Sequence, residues 1–183
     1  MKTLLLLRHA QALNTEAGGT DKDRKLSPKG ISDAQALGAL MARQSLIPAL
    51  VLCSGAVRTR QTWDGVSKGL GDLDADSIDY LDAFYNAAPG VLLSEIQNIS
   101  SDIDTVLVIA HNPGIHALAA MLANDDNAPQ MLTRLTASYM PATLSVLECD
   151  IASWAEIKPY ENRLAALHET IDYNADQRPT RWM

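Results

Sequence analysis

Cysteine, phenylalanine and long apolar runs are all scarce in this sequence of 183 residues. The two cysteines, Cys53 and Cys149, each lie inside an apolar stretch, which argues against a disulfide framework and favours two core thiols in a reducing compartment. The first apolar run ends after four leucines at Arg8. A secretory signal needs about 7–15 apolar residues and a membrane-spanning helix about 20, so we expect a cytoplasmic protein without a membrane segment.

Positively charged residues are also fewer than negatively charged ones. The chain has 15 lysines and arginines against 22 acidic residues, a formal charge of −7 and a pI of about 4.9. General nucleic-acid binders need a positive surface, so this balance argues against that class. A small anionic substrate stays possible, because one pocket can carry its own positive field.

The remaining composition is that of a globular protein. Hydrophobic residues make up 47% of the chain and the mean hydropathy is −0.05, which excludes disorder and fibrous repeats. No repeat or linker-like stretch divides the sequence. We predict a single domain over residues 1–183, with a loosely held tail from about residue 172.

Short apolar segments bounded by turn residues have the composition of strands covered on both faces. Four of them lie at residues 3–7, 49–53, 77–81 and 105–110. Residues 145–149 and 154–158 are also predicted as strands, the second at a sheet edge because Pro159 follows it.

Helical periodicity separates these strands. Ser27 and Pro28, an N-cap followed by proline, predict a first helix that turns its apolar side inward. That apolar side consists of Ile31, Ala34, Leu37 and Met41. Further helices are predicted over residues 56–68, ended by glycines 69 and 71, over about 90–99, and from an Asn112 cap onward. The alternating order predicts an α/β protein, a three-layer α/β/α sandwich with a mainly parallel central sheet.

Two histidines and two arginines follow these strands closely. Arg8 and His9 come after the first strand, Arg58 lies in the first turn of the helix after the second, and His111 follows the fourth. Ligands of open α/β sheets bind at the carboxyl ends of the strands. Arginines and helix N-termini bind phosphate-like anions, so a phosphoryl-binding site is predicted at this edge.

Other candidate residues lack this placement. His116, His168 and Arg60 are expected to have structural or surface roles. A metal site built from His9, His111 and a carboxylate is disfavoured, because the flanking arginines would repel a dication and no His-x-His spacing occurs. We therefore expect no metal and no other cofactor.

Three stretches, in this order, resemble the histidine phosphatase superfamily, which has the phosphoglycerate mutase-like fold. They are LLLRHA at residues 5–10, SGAVRTRQT at 54–62 and VIAHNPG at 108–114. Within that superfamily the chain is similar to the short SixA-type phosphohistidine phosphatases. Supporting stretches are LSPKG at 26–30, FYNAAP at 84–89 and MPAT at 140–143, and only the tail after about residue 167 is weakly covered.

The resemblance implies a role for each of these residues. His9 would be the nucleophile that is transiently phosphorylated, Arg8 and Arg58 would bind the phosphoryl oxygens, and His111 would complete the pocket. A neutral imidazole is nucleophilic near pH 7, and positioned cations stabilise phosphoryl transfer without a metal. Asp82 stands where many members place the general acid, with a solvated loop carboxylate as the alternative.

The 53 positions from Arg58 to His111 leave little room for a capping insertion, so we expect an open pocket. An open pocket suits a phosphorylated side chain of a protein. The predicted function is therefore a metal-independent phosphatase that removes phosphate from phosphohistidine in a protein. A phosphatase or phosphotransferase of a small phosphate ester and a low-turnover phosphate-binding module are the alternatives. No oligomeric state is predicted.

Overall fold

A seven-stranded sheet lies between two layers of helices in the computed structural model, which describes residues 1–71, 78–124 and 129–173. The strands are β1 (Lys2–Arg8), β2 (Leu50–Ser54), β3 (Ile78–Leu81), β4 (Thr105–Ala110), β5 (Ala123–Asn124), β6 (Leu144–Cys149) and β7 (Asn162–His168). The helices are α1 (Pro28–Arg43), α2 (Val57–Leu70), α3 (Pro89–Gln97), α4 (Gly114–Leu122), α5 (Pro129–Ala137) and α6 (Thr170–Tyr173). Short 3₁₀ helices cover Asp21–Asp23, Asp82–Phe84 and Trp154–Glu156.

The strand order is β3-β2-β4-β1-β6-β7-β5. The first four strands in this order are parallel to one another, β6 is antiparallel to both β1 and β7, and β5 is parallel to β7. This arrangement confirms the predicted three-layer sandwich with a mainly parallel sheet. It also brings the carboxyl ends of β1, β2 and β4 to one edge.

Alternation along β1 explains why its apolar run is continuous. Leu4 and Leu6 pack into the core that contains α3 and α4, whereas Leu5 and Leu7 pack into the core formed with α1 and α2. Because both faces of the strand are covered, no polar side chain is needed at alternate positions. The two cysteines are buried free thiols, as predicted.

The predicted strand at 154–158 is wrong. Trp154 instead opens a 3₁₀ helix, capped by the Ser153 side chain, and its ring is fully buried. The indole Nε1 donates a hydrogen bond of 2.8 Å to the Ile103 carbonyl oxygen, so this tryptophan inserts into the core beside β4. The last long strand is β7, which the sequence analysis missed together with β5 and α5.

Two helix details also differ from expectation. Ala34, Leu37 and Met41 of α1 are buried as predicted, but Ile31 is 44% exposed because the buried stripe of α1 follows its contact with α2. Asn112 is not the cap of α4: Pro113 holds the N-cap position, and the Asn112 side chain bonds elsewhere.

Ser27 does cap α1 through the Gly30 amide, and Gly71 ends α2 in the left-handed conformation (φ 98°), as the sequence predicts. Ser77, at the start of the predicted third strand, lies outside the described residues. Of the tail predicted to be loosely held from about residue 172, the first two residues belong to α6, where Tyr173 is buried, and the residues from 174 lie outside the described part. None of the helices in the described ranges combines the length and the apolar character that a membrane span requires.

Candidate active site

His9 follows β1, the strand in the middle of the sheet. Its backbone amide donates to the Ala110 carbonyl oxygen (3.1 Å), and its carbonyl oxygen accepts from the Ala142 amide (3.1 Å), which fixes the residue from both sides. The buried ring places Nδ1 2.8 Å from the Ala10 carbonyl oxygen. Because a carbonyl oxygen can only accept, Nδ1 carries the proton and Nε2 has the lone pair.

Arg58 lies in the first turn of α2 and its side chain is only 4% exposed. Its Nε donates a hydrogen bond to the Nε2 lone pair of His9 (3.3 Å). The other edge of the guanidinium faces Asp21: Nη1 donates to the Asp21 carbonyl oxygen (2.6 Å) and Nη2 to the carboxylate (3.0 Å). The guanidinium therefore lies between the His9 ring and the Asp21 carboxylate.

Arg8 reaches the same place from the last position of β1. Its Nη1 donates to the Tyr139 carbonyl oxygen (2.7 Å), which also accepts from Nδ2 of Asn112 (3.0 Å). The Arg8 Nε is buried and has no hydrogen-bond partner within the described parts of the chain. A donor of this kind is available to an oxygen atom of a ligand.

His111 is the first residue after β4. Its ring centroid lies 5.2 Å from that of His9, and its Nε2 is 2.7 Å from Oγ of Ser54 at the end of β2. The His111 Nδ1 is buried and, like the Arg8 Nε, has no partner among the residues described. The four side chains singled out from the sequence thus meet at the carboxyl edge of the sheet.

Burial sets the charge of both histidines. Loss of solvation, reinforced by the Arg58 and Arg8 charges, lowers the pKa of His9 to about 4, although the Ala10 bond acts in the opposite direction. The pKa of His111 falls to about 3, first through burial and then through His9 and Arg58. Both rings are therefore neutral near pH 7 before a ligand binds.

A cavity of about 470 Å³ contains these groups. It is lined by Arg8, His9, Gln11, Ala12, Asp21, Arg24, Arg58, Asn86, His111, Asn112 and Pro141. Three of the lining residues are arginines and one is an acid, which leaves an excess of positive charge for an anion of the size of phosphate.

The sequence analysis did not identify Asp21, which lies at the open end, or mouth, of this cavity in the loop between β1 and α1. The Asp21 Oδ2 accepts from Tyr85 Oη (2.7 Å) as well as from Arg58, and its Oδ1 accepts from Arg24 Nη1 (3.1 Å). The Tyr85 hydrogen bond, followed by Arg24 and Arg58, lowers the pKa of Asp21 to about 2, despite an opposing effect of burial. The sequence signal that could have identified Asp21 was its position three residues before Arg24, but no pattern linked this loop to Arg58.

Asp82 is placed differently from the other candidates. It is not among the cavity-lining residues, its carboxylate is 85% exposed, and its Oδ1 accepts from Lys22 Nζ at 2.9 Å. The Lys22 bond and charge hold the pKa of Asp82 below its usual range. The assignment of Asp82 as general acid stays a prediction, and these contacts count against it.

The residues expected to have structural or surface roles, which are Arg60, His116 and His168, do not line the cavity. Arg60 donates to the Gly55 carbonyl oxygen and covers the Tyr80 ring, and His116 bonds the Leu135 carbonyl oxygen and stacks on Tyr139. His168 lies in β7. Over the described ranges, no three or more His, Cys, Asp or Glu residues come together in a way that could hold a metal ion.

Comparison with known proteins agrees with this geometry. The sequence profile of the histidine phosphatase superfamily (branch 1) matches residues 4–87. The chain is also 32% identical over 165 residues to the uncharacterised protein Rv1276c of Mycobacterium tuberculosis, a match that covers 88% of this chain and 98% of that protein. The chain belongs to the histidine phosphatase superfamily.

Solved structures place it within the SixA-type branch. The candidate phosphohistidine phosphatase SixA of Nakamurella multipartitia is 29% identical with a TM-score of 0.76, and the match covers 92% of this chain and 95% of that one. The corresponding Agrobacterium tumefaciens protein is 28% identical with a TM-score of 0.75, covering 92% and 97%. This histidine phosphatase is therefore a hydrolase of the phosphatase class.

Proposed function

We propose that this histidine phosphatase removes phosphate from phosphohistidine in a protein, without a metal ion and through a phosphorylated His9. The orientation of the His9 ring carries the proposal. Its Nδ1 donates to the Ala10 carbonyl oxygen, so that Nε2 faces the cavity beside Arg58 as a neutral nucleophile.

The first step transfers the phosphoryl group to His9. Its oxygens accept hydrogen bonds from Arg58, from Nε of Arg8 and from Nδ1 of His111, donors that are in place before the reaction. The Nε2 lone pair of His9 attacks phosphorus in line with the leaving group. The P–N bond breaks, and its electron pair stays on the departing imidazole nitrogen.

The second step returns the enzyme to its starting state. Water attacks phosphorus from the side that the leaving group has vacated, the bond to His9 Nε2 breaks, and inorganic phosphate departs. The Ala10 carbonyl oxygen holds the ring in one tautomer through both steps, so that the same nitrogen accepts and releases the phosphoryl group.

The cavity favours a leaving group that needs no proton from the enzyme. Asp21, the carboxylate among its lining residues, has a pKa of about 2 and is ionised at neutral pH. An alkoxide must be protonated as it departs, whereas a phosphorylated imidazolium leaves as neutral imidazole. The similarity to two candidate phosphohistidine phosphatases at 28–29% identity supports the same substrate class.

Turnover in a metal chelator tests the proposal. Wild type, His9→Asn and a control, His168→Asn, are assayed with p-nitrophenyl phosphate and with a chemically histidine-phosphorylated protein. We expect wild type and the control to hydrolyse both substrates, and His9→Asn to lose about 10³-fold or more of the activity. Acid-labile phosphate on the peptide that contains His9, captured by rapid quenching, identifies the intermediate.

Three outcomes contradict different parts of the proposal. Complete loss of activity in chelator excludes the metal-independent mechanism. Full activity of His9→Asn excludes the covalent route. Hydrolysis of small esters without hydrolysis of the phosphohistidine protein replaces the proposed substrate by a small phosphate ester.

A further inference from the structure

Two chain segments meet at the mouth of the cavity. One is the loop with the Asp21–Asp23 turn of 3₁₀ helix, and the other is the turn that follows β3. The Tyr85 hydroxyl on the second segment donates to the Asp21 carboxylate (2.7 Å), and Lys22 donates to Asp82 (2.9 Å). These two contacts hold Asp21 beside Arg58, with the Asp21 side chain still 48% exposed.

Asp21 lies on the far side of the Arg58 guanidinium from the nucleophile. The guanidinium Nε is 3.3 Å from His9 Nε2, and its Nη2 is 3.0 Å from Asp21 Oδ2. In an in-line displacement the leaving group lies on the opposite side of phosphorus from the attacking nitrogen. We take the phosphoryl group to lie between His9 Nε2 and the exposed Asp21 side chain, which puts its leaving group on the side of Asp21.

The Asp21 carboxylate is held in place with its negative charge and can accept one more hydrogen bond. Its Oδ2 is occupied by Arg58 and Tyr85, but its Oδ1 accepts only from Arg24 among the contacts in the described chain. A carboxylate oxygen can accept two hydrogen bonds. An oxygen of this kind, on a half-exposed side chain, can accept an N–H group from a ligand that fills the mouth.

We propose, on the basis of the function proposed above, that Asp21 selects the leaving group of this phosphatase. Its carboxylate accepts the N–H of the phosphorylated imidazolium ring, at the nitrogen that does not carry phosphorus. When the P–N bond breaks, its electron pair goes to the departing nitrogen and the ring leaves neutral with that proton still in place. The same negative charge disfavours leaving groups that depart as anions.

A simpler role for Asp21 is to orient Arg58. Asp21→Asn separates the two roles, because the amide oxygen can still accept from Arg58 and Tyr85 while the charge is lost. Asp21→Glu keeps the charge. Asp23→Asn is the matched control, since Asp23 lies on the same 3₁₀ helix but bonds Thr20 and is not among the cavity-lining residues.

The test compares kcat/KM for phosphoimidazole and for p-nitrophenyl phosphate with each variant. Phosphoimidazole lacks a protein part, so any difference reports the leaving group itself. Charge-assisted hydrogen bonds are about twice as strong as neutral ones. We expect Asp21→Asn to lower kcat/KM for phosphoimidazole about tenfold. The same variant should raise kcat/KM for p-nitrophenyl phosphate, because nitrophenolate departs as an anion. Asp21→Glu is expected to recover part of the preference, and Asp23→Asn to keep the wild-type ratio.

If Asp21→Asn lowers kcat/KM equally for both substrates, the proposal is overturned, because Asp21 then only orients Arg58 and does not select the leaving group. The same change of ratio in Asp23→Asn assigns the effect to the loop as a whole, which also overturns it. Failure of the proposed function looks different: wild type then turns over p-nitrophenyl phosphate but neither phosphoimidazole nor the phosphorylated protein, or His9→Asn keeps full activity.

Discussion

Ser54 Oγ lies 2.7 Å from Nε2 of His111, and both side chains are buried. Ser54 is the last residue of β2 and His111 follows β4, and the hydroxyl is the hydrogen-bond partner of that imidazole among the described residues. When Ser54 donates its proton to Nε2, the proton of the His111 ring resides on Nδ1, which can then donate to a phosphoryl oxygen. We therefore expect Ser54 to position the His111 ring.

Replacing Ser54 by alanine tests this relationship. Loss of a buried hydrogen bond costs about 1 kcal/mol, which corresponds to a fall in kcat of about fivefold. We expect this fall with little change in KM for p-nitrophenyl phosphate. Ser145→Ala removes another buried serine hydroxyl, from β6, as a control. Equal kcat values for the two variants would show that the Ser54 contact has no role in turnover.

Asp82→Asn distinguishes the two interpretations of Asp82. Its carboxylate is exposed and paired with Lys22, so we expect the rate of hydrolysis of alkyl and aryl phosphates to change by less than about threefold, the scale of an exposed ion pair. The measurement is kcat/KM for one substrate of each type. A selective loss with the alkyl phosphate, by a factor of ten or more, would instead identify Asp82 as the proton donor.

The buried histidines make the stability of the protein depend on pH. The pKa values of His9 and His111 in the folded protein, about 4 and about 3, lie below the ordinary value near 6.5. Between these limits the unfolded chain binds more protons, so stability falls as the pH falls below about 6.5. We expect each of the two histidines to lower the free energy of unfolding in urea by about 2 kcal/mol between pH 7 and pH 4.5.

The double variant His9→Asn/His111→Asn provides the control for this pH effect. Without the two imidazoles, the decrease over the same pH range should become clearly smaller. If it has the same slope as wild type, other groups are responsible for the titration.

Gly114 allows α4 to begin against the turn that carries Tyr85. A Cβ atom at this position would lie 2.0 Å from the Ala87 carbonyl oxygen, whereas nothing lies within 4 Å of a Cβ at Gly90. We expect Gly114→Ala to destabilise the protein by about 2–3 kcal/mol because the backbone must shift. The matched variant, Gly90→Ala in α3, should unfold at or above the wild-type urea concentration. Similar unfolding midpoints for both variants would contradict the close contact.

Local patterns in the sequence identify most of the fold and the centre of the site. The continuous apolar runs of β1 and β4 and the Ser27-Pro28 cap are decided by neighbouring residues, so they can be read directly from the sequence. Arg8, His9, Arg58 and His111 lie at or after the ends of strands whose parallel order brings those ends to one edge, so topology alone predicts their convergence.

Features that depend on distant contacts were not predictable in this way. Trp154 leaves the expected strand because its ring fills a space beside the Ile103 carbonyl oxygen, which no local pattern records. Asp21 reaches Arg58 across 37 positions from a polar loop, and its acidity depends on Tyr85 from a third segment. Such contacts depend on how separate elements pack, not on the residues next to them.

Hydrogen bonds on both sides of the end of the central strand β1 slow the exchange of its amide protons with solvent. The amides of Arg8 and His9 donate to neighbours on opposite sides, Thr143 and Ala110, whereas the amides of Asp23 and Arg24 bond only within their own exposed turn. We infer that the first pair exchanges only when the whole protein unfolds, while the second exchanges through local opening at a small cost in free energy. We therefore expect the amide protons of the loop at the mouth of the cavity to exchange long before those that hold His9 in place.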